Sequence, residues 1–277
     1  MGDKALHQKD LKLLLAKWGA SGSSGELTSY IASHSSLPGP RGNLELAAAW
    51  SEIVEAQAKQ GNDSLWALAT SLASLSASEA PQNDPREMVA FCGVVGIGAF
   101  GAASGEHSQA ALALLRCHAR DPRWRMREGV AMALQHMLPR DVDAVLLELR
   151  AWVEGGDLLE MRAVAAALAE PCVLDLPGIP QAALGVHQSI LAAVEACDAR
   201  RTEPFRVLRK GLGYTLSVIV SRAPESGFHL LERLASSRDA DIRWIVKQNL
   251  SKRRLAGPHT ARVKAIKAVL LQTETEA

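Results

Sequence analysis

The sequence predicts an all-α protein, a right-handed α-solenoid of helical hairpins, and three observations carry that prediction. Hydrophobic residues make up 48% of the 277 residues but aromatics only 4%, with Ala and Leu dominant, a supply that suits helices better than strands. Apolar residues recur at three- and four-residue spacing in one segment after another. A corner of one chemical type also returns. Asp121-Pro122-Arg123-Trp124-Arg125-Met126-Arg127 and Asp241-Ile242-Arg243-Trp244-Ile245-Val246-Lys247 share Asp, Arg, Trp and the second basic position at a separation of 120 residues. Three repeats of ~40 residues fit that interval.

Taken in order, residues 3–18 form an amphipathic helix that ends at the Gly/Ser run 19–25. A shorter helix, 26–34, stops at the breakers of Leu37-Pro38-Gly39-Pro40-Arg41-Gly42. Helices at 44–60 and 63–77 join through Gly61-Asn62-Asp63-Ser64, where Asn62 or Asp63 can cap. Trp50, Ile53 and Val54 of the first are expected against Leu65, Trp66, Leu68 and Leu72 of the second. A polar loop, 78–85, precedes an apolar segment, 86–104, read as a buried helix pair because it is glycine-broken and shorter than the ~20 residues of a membrane span.

The central hairpin, 110–138, places Leu112, Leu114, Leu115 and His118 on its first helix. Met126, Val130, Ala133, Leu134 and Met137 share one face of its second. Asp121-Pro122 reads as a cap followed by a first helical residue. A looser copy spans 141–170, with Gly155-Gly156-Asp157 as its turn and Arg162 inside its second helix. The connector Pro171–Pro180 is the best internal boundary of what is otherwise one domain, 1–277. Helices follow at 181–197, 203–222, 226–237, 241–255 and 260–272, before a frayed tail, Thr273–Ala277. Thr215–Val220 alone has the composition of a strand.

Net charge is +1, yet it is unevenly placed: residues 1–199 hold 15 Lys/Arg against 23 Asp/Glu, and residues 200–277 hold 16 against 7. Such a split points either to an anionic partner at the basic end or to attraction between the halves or to a second subunit. Cys92, Cys117, Cys172 and Cys197 are widely spaced and read as reduced core thiols of a cytoplasmic protein, with no disulfide frame and no metal site. The start, Met1-Gly2-Asp3-Lys4-Ala5-Leu6, has neither a signal-peptide pattern nor a myristoylation pattern. No membrane partner and no cofactor is expected.

Gly96-Ile97-Gly98-Ala99-Phe100-Gly101 matches G-x-G-x-x-G, which in a dinucleotide fold follows a strand and opens a helix. Met88–Val95 could be that strand, but no strand–helix alternation follows, so close helix approach explains the glycines better. Basic and aromatic residues at the corners make the candidate nucleic-acid set: Arg120, Arg123, Trp124, Arg125, Arg127, Arg162, Arg243, Trp244, Lys247, Lys252, Arg253 and Arg254. Helix N-termini and guanidinium groups together suit phosphate. Arg127, Arg162 and Lys247 can instead tie turns together, whereas Arg120, Arg123 and Arg125 read as solvated or ligand-facing. Trp124 and Trp244 read as pins between repeats, and Trp152 as core. No nucleophile–base constellation stands out; Glu128, beside Trp124 and Arg125, is a weak catalytic candidate.

The central hairpin, with Asp121, Arg127 and the apolar stripe, resembles a HEAT repeat, as do 141–170 and 226–255. Within that superfamily, the run from Asp121 to Leu134 resembles repeats of the HEAT-like DNA-alkylation-repair glycosylases. That resemblance implies duplex DNA held on a basic concave face. It also implies base excision by an acidic residue near exposed tryptophans, for which no Trp-Asp-x-x-Asp cluster occurs here. The sequence therefore leads to a non-catalytic HEAT-like protein binding an anionic partner, duplex DNA first and an acidic protein next. A glycosylase for alkylated bases and a protein–protein adaptor are the alternatives.

Overall fold

The computed structural model describes residues 3–276, with side chains for 4–273. Among them every regular element is a helix, and no helix is long and apolar enough to cross a membrane. The chain divides into two compact units, Met1–Val145 and Leu146–Ala277. The division falls inside a helix rather than at 171–180, which lies within the second unit as a four-residue helix and the turn after it.

The first unit holds α1 (Asp3–Ser21), α2 (Gly25–Ser33), α3 (Leu44–Ala58), α4 (Ser64–Ala73), α5 (Glu87–Ala103), α6 (Gly105–His118) and α7 (Trp124–Met137). Here α1, α3, α5 and α7 are successive neighbours, with α4 and α6 also laid on α5. Trp50, Ile53 and Val54 are buried as expected. However, α3 and α4 meet chiefly through α5 rather than each other, Trp50 and Ala69 both lying where a Cβ on Gly96 would fall.

Helix α5 is one continuous helix and not the expected pair, buried without a break from Glu87 to Gly101. A helix with no solvent face must admit neighbours on all sides, and its glycines do this. A Cβ on Gly98 would stand 2.4 Å from Ala133 Cβ of α7, and one on Gly93 would stand 2.2 Å from Ala73 N of α4. The G-x-G-x-x-G run is thus helix-packing surface, and Met88–Val95 is helical.

Helix α8 (Val142–Glu154) crosses the division. The second unit continues with α9 (Leu158–Leu168), α10 (Pro171–Leu174), α11 (Ile179–Glu195), α12 (Glu203–Arg222), α13 (Pro224–Ala235), α14 (Ala240–Leu250), α15 (Arg253–Ala256) and α16 (Thr260–Glu276). In it α9, α12 and α14 are successive neighbours, while α11 and α13 each pack on α12 and α14. Arg209 pairs with Asp241, Gly213 lies against Trp244, and Ser217 N donates to Asn249 Oδ1 at 2.7 Å, so α12 and α14 run in the same direction. Thr215–Val220, strand-like by composition, lies inside α12, where helical packing overrides β-propensity. Trp152 is buried, with Nε1 donating to Glu148 at 2.9 Å. Helix α16 reaches Glu276, past the expected stop at 272; Ala277 lies outside the described residues. Only Cys92 of the four cysteines is a buried core thiol; Cys117 and Cys172 are exposed and Cys197 half-buried, and all four are free.

Charge looks different once placed on the units. Residues 1–145 carry 13 Lys/Arg and 15 Asp/Glu, and residues 146–277 carry 18 and 15. The asymmetry is internal to the second unit, whose first part, 146–199, has two basic and eight acidic residues.

Two outcomes are expected from this core. Gly98→Ala should lower stability by about 1–3 kcal/mol through overpacking. Adding Ala133→Gly should recover only part, because the Ala133 Cα and O also crowd that position; urea midpoints of the single and double variants check this. His187 is fully buried, with Nδ1 on the Ala183 carbonyl at 2.9 Å and Nε2 at 3.0 Å from the Thr215 hydroxyl. Nδ1 facing a carbonyl must be the protonated nitrogen, so Nε2 accepts from Thr215. Burial pushes its pKa from 6.5 down to about 4, against a smaller opposing effect of the Ala183 carbonyl. The unfolded chain therefore binds the extra proton between those values, and stability falls as pH drops from 6.5 towards 4. His187→Leu should flatten the urea-unfolding pH profile over that interval.

Candidate functional site

The corners are built from arginines turned onto backbone carbonyls. Helix α7 starts at Trp124 with Arg123 in the N-cap position, so Asp121 is not the cap and Pro122 is not the first helical residue. Asp121 Oδ1 instead accepts from Arg123 N at 2.8 Å and Nε at 2.9 Å, which leaves the guanidinium aimed at the preceding loop. Its Nη atoms donate to the carbonyls of Ala80 at 3.0 Å and Leu75 at 2.9 Å. One turn on, Arg127 Nη1 donates to the carbonyls of Asp121 and Pro122 at 2.9 and 3.1 Å. In α14 the N-cap is Asp239, and Arg243 Nη1 reaches the carbonyls of Ser237 and Arg238 at 2.9 and 2.8 Å.

Arg243 therefore corresponds to Arg127, an interval of 116 rather than 120 residues. The Asp-x-Arg-Trp match between the two corners is one helical turn out of structural register. Aligned by cap, Arg123, Asp157 and Asp239 are equivalent, Asp157 accepting from Leu159 N and Glu160 N. Asp241, in the first turn, holds Arg200 and Arg209 at 2.7 and 2.6 Å. Hydrogen bonds to Asp239 first and Asp241 second raise the Arg200 pKa above its ordinary value, against its desolvation.

These contacts correct the expectation that Arg123 and Arg125 face solvent. Their exposures are 3% and 4%, and Arg127 and Arg243 are also buried. Arg125 pairs with the fully buried Glu87 at 2.9 Å and donates to the Gly39 carbonyl. The Glu87 carboxylate also accepts from Asn83 N, and Asn83 Oδ1 accepts from Gly39 N at 3.0 Å. Arg120 is exposed and has interactions of its own. Arg162 is half-buried, its stem near Gly211 of α12.

Trp124 is corrected in the opposite sense. It is 38% exposed, with the Arg125 guanidinium 4.4 Å from its ring centre. It lines a cleft of about 310 Å³ with Leu44, Met88, Phe91, Glu128 and Met132, and with Arg41 at the loop side. The cleft went unseen in the sequence because its lining comes from four separate segments: one residue from α3, two from α5, four from α7 and three from the loop 36–42.

In the second unit the remaining candidates gather along α12. Trp244 lies over Gly213, with Arg209 at 3.8 Å from its ring centre, as a packed residue should. Lys247 is exposed one turn further along α14. Tyr214 is 49% exposed; Arg254 donates to its hydroxyl at 2.8 Å and stacks at 4.6 Å, and Lys252 stands at 5.9 Å. Arg206, Lys210 and Tyr214 follow at four-residue spacing on one stripe of α12, all exposed. Arg206, Lys210 and Arg253 have no acid or acceptor partner among the described residues. Tyr214, Arg206 and Lys210 were missed from sequence, where 203–222 reads only as a helix with a strand-like stretch at 215–220. Four-residue spacing of base, base and ring was the available signal.

No protein-family model matches the chain, and no curated protein and no solved structure is significantly similar to it.

Arg125→Ala should leave the Glu87 carboxylate buried without its cation and cost about 3–5 kcal/mol in urea unfolding. Arg253→Ala, on an exposed guanidinium, should change stability by less than ~0.5 kcal/mol. Equal, small losses from both would return Arg125 to the solvent-facing role.

Proposed function

We propose that the protein is a non-catalytic HEAT-like helical-repeat protein that binds duplex DNA through the basic face of its second unit. The observation that carries this reading is the exposed Tyr214 with Lys252 and Arg254 over its ring, Arg206 and Lys210 on the same stripe of α12, and Arg253 exposed between the two stacked cations in sequence. Three of these cations have no partner among the described residues, so phosphates can neutralise them without first breaking an ion pair. Repeat-like order is supported within each unit, where alternate helices are successive neighbours and two corners share one arginine–carbonyl arrangement. Of the sequence candidates, Lys247, Lys252, Arg253 and Arg254 belong to this reading. Arg123, Arg125, Arg127 and Arg243 serve the framework instead, as does Trp244.

One observation favours a second reading, a glycosylase for alkylated bases: Glu128 and the exposed Trp124 line the same cleft. Release of a methylated base from duplex DNA would establish it, and binding without release excludes it.

Random duplex DNA should bind with an affinity that falls steeply as salt rises. Lys210→Ala with Arg253→Ala should lower the slope of log K against log salt by about 2, since each lost phosphate contact contributes ~0.9. Binding that ignores salt, or none at low salt, would overturn the DNA reading and leave an acidic protein or an adaptor role.

A further inference from the structure

We propose that the cleft beside Trp124 is a mononucleotide site that takes one purine ring against the indole and its phosphate on Arg41. The site lies in the first unit and is built from none of the residues of the basic face. Its walls are Leu44, Met88, Phe91 and Met132, apolar and partly thioether, which favour a flat ring over a charged group. At about 310 Å³ it stands at the low end of small-ligand pockets, ~300 Å³ and up, so it has room for one ring system and its sugar.

The charge around the indole selects further. A guanidinium already lies 4.4 Å from the Trp124 ring centre and draws on its π-density. A second cation brought to that ring meets like charge, which disfavours an ammonium ligand. A neutral, polarisable base has no such penalty and gains stacking area on an indole that is otherwise 38% exposed. Glu128 also lines the cleft and has an interaction of its own.

Arg41 supplies the anion-binding end. It is exposed, and among the described residues it has no acid or acceptor partner. The loop that carries it is not loose. Arg125 holds the Gly39 carbonyl while Asn83 Oδ1 accepts from Gly39 N, and Glu87 holds both Arg125 and the Asn83 backbone. The buried ion pair of the corner thus fixes the backbone two residues from Arg41, so the loop itself needs little ordering and only the Arg41 side chain has to be immobilised when a phosphate arrives.

Titration of the full chain with AMP, adenosine and a short single-stranded oligodeoxyadenylate, read by calorimetry, tests the site. AMP should bind saturably and about five- to tenfold more tightly than adenosine. Arg41→Ala should remove that preference, and Trp124→Ala should weaken both ligands by about tenfold or more. Lys210→Ala with Arg253→Ala should leave AMP binding unchanged, so failure of the basic face and failure of this site are told apart. An oligomer bound much more tightly than AMP, with the same loss in Trp124→Ala, identifies an unstacked base of a strand as the source; equal affinities identify the free nucleotide. Absence of saturable AMP binding at about 10 mM, or binding that Trp124→Ala leaves intact, overturns the proposal.

Discussion

Turning a chain sharply between two packed helices leaves carbonyls pointing into a region where water has little access, and those carbonyls must find donors. At the start of α7 and again at the start of α14, an arginine four residues past the N-cap provides them, one guanidinium nitrogen spanning two successive carbonyls. A planar donor fork with a long apolar stem suits this task where a lysine's point charge would not. Arg123 extends the same logic by reaching the carbonyls of the α4–α5 connection, and Arg125 by pairing with Glu87. Corner geometry, loop position and the rim of the Trp124 cleft all follow from where these guanidinium groups are held.

That arrangement works only because α5 lets its neighbours come close. Glu87 sits at its first turn, fully buried, and the carboxylate would be costly there without Arg125 from α7. The approach of α7 that delivers Arg125 is the same approach that Gly98 permits against Ala133. Small residues and buried charge are therefore coupled in the first unit: side chains at 98 and 133 set the helix separation at which the ion pair closes.

Helices were legible because apolar spacing is a local signal, and the stripe Met126, Val130, Ala133, Leu134 and Met137 is buried as its periodicity implies. Asp157 was legible as a turn residue for the same reason. The partners of the corner arginines were not. Gly39, Leu75, Ala80 and Glu87 lie 38 to 86 residues before the arginines they meet, and nothing in a local pattern names them. The residue-for-residue match of Asp-x-Arg-Trp misled for a physical reason as well. Asp, Arg and Trp recur at helix starts in different roles, and only the cap position and the carbonyls to which Arg127 and Arg243 donate show which residues are equivalent. A single α5 in place of two helices was hidden because glycines within an apolar run read as breaks, whereas in a fully surrounded helix they are contact points.

Counting charge by residue type accordingly overstates what the surface offers. Arg123, Arg125, Arg127 and Arg243 are used by the framework, and Arg200 and Arg209 by Asp239 and Asp241. Two places among the exposed cations stand out: Arg206, Lys210 and Arg253 beside the Lys252–Tyr214–Arg254 stack of one unit, and Arg41 at the apolar cleft of the other. The two differ in kind. The first is open and wet, so attraction there is screened by salt. The second couples a cation to apolar walls, so ring burial persists where screening has removed most of the attraction. A partner engaging the face alone would be lost at moderate salt, while a base engaging the cleft would be held by contacts that salt scarcely weakens.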